Sequence, residues 1–116
     1  MLQKQYRLPS KTKLKNPRFI KTSEYSGKYA HNGMDTTRFA FVVKKTLDKK
    51  AVTRNRVRRV FRSCIEELTP VITPGYDMLF FLEKGIIGKT RRELLTELQR
   101  VFEERGLFKN TKPKGE

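Results

Sequence analysis

Residues 38–68 read RFAFVVKKTLDKKAVTRNRVRRVFRSCIEEL, and two periods meet inside them. In 38–45, Phe39, Phe41 and Val43 alternate with Ala40 and Val42, the period of a strand that is apolar on both faces. After the loop TLDKK, Val57, Val60, Phe61, Cys64, Ile65 and Leu68 recur at i, i+3, i+4, i+7, i+8 and i+11. That spacing is the buried stripe of an amphipathic helix. Thr53 reads as its N-cap and Pro70 as its stop. A strand that feeds a helix through a short loop predicts an α/β (α+β) domain with a sheet packed on helices.

The pattern continues on both sides. YDMLFFLE, residues 76–83, is a second strand, preceded by the turn TPG. Thr90 and Glu93 are spaced as a capping box, and Leu94, Leu95, Leu98, Val101 and Phe102 form the inner face of a second helix that closes near Gly106. Upstream, FIKTSEYSGKYAHNG (19–33) predicts one irregular strand ending in a turn at NGMD. Residues 1–18 are basic, contain Pro9 and Pro17, and predict an extended or disordered arm with room for one helical turn between the prolines; residues 109–116 predict a flexible tail. The expected organisation is therefore arm 1–18, one domain over 19–108, and tail 109–116. At 116 residues with 36% apolar content, the chain suffices for one modest core.

Net charge is +15, and it is segregated. Residues 44–62 hold nine Lys or Arg against Asp48, whereas 63–83 hold four acids and no base. A surface evolved for solubility alone would mix the signs. On the predicted helix, Arg54, Arg58 and Arg62 stand at i, i+4 and i+8, and Arg59 neighbours Arg62 at i+3. Like charges at these spacings destabilise a helix by about 0.2–0.5 kcal/mol per pair. Arg54 and Arg56 also oppose the positive end of the macrodipole, where acids are preferred. The arrangement disfavours folding and favours a polyanion. Arginine binds phosphate through two parallel hydrogen bonds, and Asn55 can both donate to and accept from a base edge or a 2′-hydroxyl. Lys44, Lys45, Lys49 and Lys50 extend the patch ahead of the helix. The bland reading is a solvated face with affinity for calmodulin-like partners or anionic lipid, but the apolar stripe is narrow and the core needs it.

Other classes are excluded by what is missing. No apolar run reaches the roughly 18 residues of a membrane span, and nothing resembles a secretory leader. A single cysteine, Cys64, precludes an internal disulfide and suits a reducing, cytoplasmic setting; with the single His31 it cannot build a zinc site unaided. No nucleophile–base pairing, phosphate loop or paired-acid metal motif is present. No membrane partner and no cofactor-sized ligand are expected.

The segment FAFVVKK…KKAVTRNRVRRVFR resembles the signature of the protein subunit of bacterial ribonuclease P. Lys44, Lys45, Ala51, Val52, Arg54, Asn55, Arg56, Arg58, Arg59 and Arg62 match its pattern, and GYDMLFFLE with the C-terminal helix resembles the family's next strand and last helix. The N-terminal third departs: Arg7-Leu8 and Gly27 are kept, but Pro9 and Pro17 leave little room for the family's first helix. The resemblance implies one α/β domain with about four strands, two or three helices and a left-handed βαβ crossover, where the general rule would favour a right-handed one. It implies that a catalytic RNA carries the chemistry with Mg²⁺, that the basic helix and loop bind this RNA, and that a cleft on the sheet holds the 5′ leader of precursor tRNA. For that cleft, Phe39, Phe41, Phe19 and Tyr29 are the candidates, since exposed aromatics can stack bases; Phe39 and Phe41 read equally as core. Phe61, Phe80, Phe81 and Phe102 read as core, and no catalytic or metal-binding residue is assigned. The alternative is a ribosomal or other structural RNA-binding protein, and behind it a stand-alone nuclease.

Overall fold

The computed structural model describes residues 6–9 and 12–109. Part of the expected arm and all of the expected tail except Lys109 lie outside the described residues. Four strands form one mixed sheet in the order β1-β2-β4-β3, with β1 Arg18–Lys21, β2 Tyr25–His31, β3 Arg38–Val42 and β4 Tyr76–Leu82. β2 pairs antiparallel with β1 and β4, and β3 pairs parallel with β4. A parallel pair cannot be joined by a hairpin. The helix α1, Ala51–Leu68, therefore makes the crossover from β3 to β4, and α2, Arg91–Glu104, comes after β4.

Segment 19–33, expected as one strand, contributes to two. The turn between them lacks the usual Gly or Pro and is closed by Thr22. Its N–H donates to the Tyr25 carbonyl at 2.8 Å, and its hydroxyl oxygen accepts the Tyr25 N–H at 3.1 Å. The N-terminal segment is also more deeply built in than an extended arm would be. Arg7 bridges Phe39 in parallel, Leu8 donates its N–H to the Phe39 carbonyl at 2.7 Å, and Leu8 is buried. The domain thus begins before residue 19, because the free edge of β3 offers backbone groups that Arg7 and Leu8 satisfy.

Both helices pack on one face of the sheet. Val57, Phe61, Cys64, Ile65 and Leu68 of α1 and Leu94, Leu98, Val101 and Phe102 of α2 join Tyr25, Tyr29, Phe39, Met78 and Phe80 in the core. Phe61 is fully buried at its centre, edge-on to Tyr25, Phe41 and Phe80 at centroid distances of 5.5, 5.3 and 5.2 Å. The capping box forms as expected: Glu93 N–H donates to the Thr90 hydroxyl, and Thr90 N–H donates to the Glu93 carboxylate. Gly85 is required by close approach, since a Cβ there would collide with the Ser23 carbonyl. At the far end of the sheet, buried Asp77 accepts two hydrogen bonds from Arg38, at 2.9 and 2.8 Å, and a third from Asn32 at 2.9 Å.

Cys64 lies on the buried stripe, and burial pushes its thiol up to about 11. A thiolate is the reactive form, so Cys64 is expected to resist alkylation by iodoacetamide at pH 8 in the native protein and to react fully in denaturant. Rapid native labelling would contradict the placement of α1 against α2.

Candidate nucleic-acid interface

The loop before α1 is organised around one apolar anchor. Leu47 is buried in a 3-10 turn, Lys45–Leu47, which leaves Lys44, Lys45, Lys49 and Lys50 exposed around it. Asp48 then folds back: its carboxylate accepts the Lys50 N–H at 2.8 Å. This turn starts the helix at Ala51, two residues before the Thr53 cap that the sequence suggests, with Lys50 at the N-cap position and no side-chain cap bond. No acid lies in the first turn. The helix therefore begins with its positive dipole end uncompensated and lysines beside it.

The arginines divide into two groups. Arg54 turns back on the loop, donating to the Asp48 carbonyl at 2.8 Å and the Lys49 carbonyl at 3.1 Å. It holds the lysine loop in place rather than projecting along a common flank with Arg58 and Arg62. Arg58 donates to the Asn55 side-chain oxygen at 3.0 Å, which fixes that amide on the exposed face. Arg56 and Arg59 are exposed, and Arg62 is half-buried. Among the described residues, the ion pairs join Arg38 to Asp77, Lys89 to Glu24, Arg91 to Glu67, and Arg100 to Glu97 and Glu104. None involves a cation from 44 to 62. The segregation of charge in sequence therefore persists in space.

The second element of the interface is the sheet face that carries no helix. Strand alternation and register place Phe19, Lys28, Leu79 and Ala40 in one row across it, and Lys21, Ser26, Phe81 and Val42 in the next. Leu8 closes over Ala40 and Leu79, with Val42 and Phe81 packed beside them. Phe19 is 67% exposed and Phe81 half-buried, with Lys21 and Lys28 alongside. Where β2 begins and β4 ends, a groove of about 530 Å³ is lined by Ser26, Phe81, Glu83, Lys44 and Lys84. The groove runs from the open face toward the lysine loop.

This geometry corrects two of the four aromatic candidates. Phe39 and Tyr29 point to the helix side and are 2% and 3% exposed, so neither has a ring face to offer. Phe41 shares that side and is half-buried against Phe61 and Phe80. Of the four, only Phe19 stands on the open face. Phe81, expected in the core, faces the open side with it. Lys21 and Lys28 join the face without any sequence pattern that singles them out. Period-two alternation within β4 separates Phe80 from Phe81, but it leaves open which of the two meets the helices.

A model of the family described as Ribonuclease P matches residues 2–106. The chain is 30% identical over 112 residues to the ribonuclease P protein component of Synechocystis sp., covering 87% of this chain and 90% of that protein. It is 26% identical over 113 residues to the corresponding component of Syntrophomonas wolfei, covering 93% of each. In fold it is similar to the RNase P protein of Staphylococcus aureus, with TM-score 0.72, 19% identity and coverage of 89% and 97%. It is likewise similar to the RNase P protein of Thermotoga maritima, with TM-score 0.62, 26% identity and coverage of 73% and 84%.

Proposed function

This chain belongs to the ribonuclease P protein family, as a subunit of a tRNA-processing endoribonuclease, and on that premise we propose that α1 and its lysine loop hold the catalytic RNA while the helix-free sheet face holds the 5′ leader of precursor tRNA. The observation that carries the first assignment is the set of cations over 44–62 that has no carboxylate partner among the described residues. Arg56, Arg59 and Arg62 supply direct phosphate contacts, with Asn55 held toward the same surface by Arg58. Arg54 acts by shaping the loop that presents Lys44, Lys45, Lys49 and Lys50. The family match favours this reading over a ribosomal protein.

The protein's part in the reaction is to bind and position, with the RNA supplying the reacting groups. In this reading Mg²⁺ is held mainly by the RNA, which carries the chemistry. No helix among the described residues is long and apolar enough to cross a membrane, and we place the protein in the cytoplasm with its tRNA substrate.

For the leader, the open face provides stacking surface at Phe19 and Phe81 and phosphate contacts at Lys21 and Lys28. Removing both rings, Phe19→Ala with Phe81→Ala, is expected to weaken binding of leader-bearing precursor tRNA by the reconstituted particle about tenfold or more, since each stacked base contributes about 1–3 kcal/mol. Affinity for leaderless tRNA should stay the same. An equal loss for both RNAs, or no loss, would overturn the placement of the leader.

A further inference from the structure

The far end of the sheet carries a second basic concavity that the α1 interface and the open sheet face do not use. His31 pairs with Tyr76 where β2 ends and β4 begins, the opposite end from the Tyr25–Leu82 pair beside the lysine loop. The two rings stack at 4.5 Å with 30° between their planes. His31 is exposed and Tyr76 half-buried, so the stack presents an aromatic surface to solvent. Beside it lies a cavity of about 360 Å³ lined by His31, Tyr76, Tyr29, Lys15, Arg18 and Arg105. That volume falls within the roughly 300–1,000 Å³ of small-ligand sites.

Three cations line the cavity. Lys15 and Arg18 come from the approach to β1 and its first residue, and Arg105 comes from the end of α2. No acid lines it, and among the described residues none of these three cations forms an ion pair. Arg105 alone would be explained by the negative end of the α2 dipole. Lys15 and Arg18 adjoin no helix end and have no such reason to lie there. Tyr29 is buried, and its hydroxyl has no hydrogen-bond partner among the described residues.

We infer that this cavity is a second RNA contact, which takes one nucleotide of a single-stranded segment, with its base stacked on the His31–Tyr76 pair and its phosphate held by Lys15, Arg18 and Arg105. An aromatic surface beside several cations is the combination that binds single strands without reading sequence. The inference rests on the reading of the protein as an RNA-binding subunit, but on residues of a different end of the molecule. It gives the protein two separated grips, so an RNA held at α1 and a strand held at His31 can be fixed relative to each other.

His31 is the single histidine in the chain, so its ring protons give one assignable signal in an NMR spectrum. Titrating the free full-length protein with single-stranded pentaadenylate is expected to move that signal upfield, as a ring stacked by adenine requires. Arg18→Gln with Arg105→Gln should raise the midpoint of that shift about tenfold or more, as expected when two charge-assisted phosphate contacts are lost. Arg56→Gln with Arg59→Gln should leave the midpoint nearly unchanged while lowering total binding. A silent His31 in a protein whose binding still depends on Arg56 and Arg59 would overturn the second site and leave the α1 assignment standing. The same shift produced by inorganic phosphate alone would overturn the stacked nucleotide. In the reconstituted particle, loss of affinity of the Arg18/Arg105 variant for the catalytic RNA alone assigns the strand to that RNA. Loss only with precursor tRNA assigns it to the substrate, and loss with neither overturns the proposal.

Discussion

Replacing Arg56, Arg59 and Arg62 together by glutamine should weaken the complex with the catalytic RNA by about 100- to 1,000-fold at 0.1 M salt, because trading a hydrogen bond to a charged group (about 1.5–3 kcal/mol) for a neutral one (about 0.5–1.5 kcal/mol) loses about 1–1.4 kcal/mol at each of the three positions. The salt dependence should fall with it. Each phosphate contact contributes about 0.7–0.9 to the slope of log K against log salt, so the slope should become shallower by about two to three. The fold should respond in the opposite direction. Arg59 stands at i, i+3 spacing from both Arg56 and Arg62 on α1 and repels each of them. Glutamine propagates a helix nearly as well as arginine and removes both repulsions. The melting temperature of the free protein is therefore expected to stay level or rise by a few degrees, since about 0.5–1 kcal/mol of repulsion is relieved. A particle that binds as before would remove the α1 assignment. A variant that binds weakly and also melts early would mean that the arginines support the fold, and the loss of binding would then say nothing about a contact.

The opposed signs of these two readouts explain why α1 is legible in the sequence alone. Its apolar stripe is regular enough to identify a helix, and its outer face breaks the rules that stabilise helices. β3 and β4 are legible for a similar reason, as short apolar runs bounded by polar turns. The division of 19–33 into β1 and β2 is not, because the turn depends on the hydroxyl of Thr22 rather than on a glycine or proline. The placement of the aromatics is also hidden. Both β3 and β4 are apolar on both faces, so alternation groups Phe39 with Phe41 and separates Phe80 from Phe81, but leaves the inner group undecided. The pairing of Phe39 with Met78 and Phe41 with Phe80 decides it, and pairing is a property of the assembled sheet. Thr53 has the chemistry of a cap, yet α1 starts ahead of it because Asp48 captures the Lys50 N–H and begins the helix early. The same shift changes the role of Arg54, since a helix that starts at Ala51 turns Arg54 back over its own loop.

Phe61→Ala is expected to have the largest effect on stability of any single substitution on α1. Phe61 is fully buried, and three aromatic rings meet it edge-on within 5.2–5.5 Å. Truncating a buried phenylalanine to alanine costs about 3–5 kcal/mol, and each edge-to-face pair adds about 0.5–1.5 kcal/mol that area alone does not count. The upper end of that range applies here because the cavity cannot collapse. Tyr25, Phe41 and Phe80 are held by three different strands whose spacing is set by the sheet ladder, and Phe80 is braced by a stacked Phe102. A small domain has about 5–15 kcal/mol in total, so the melting temperature should fall by roughly 15–30 °C. Phe61→Leu keeps most of the volume and should cost far less, about 1–1.5 kcal/mol. Since Arg59 and Arg62 flank Phe61 in the chain, the pair of experiments separates the two faces of one helix. Well below its melting point, Phe61→Ala should still bind the catalytic RNA within a few-fold of the parent, whereas the arginine variant should bind poorly at every temperature. If Phe61→Ala melted within a few degrees of the parent, the aromatic cluster could not be the centre of the core, and the crossover of α1 over β3 and β4 would have to be drawn differently.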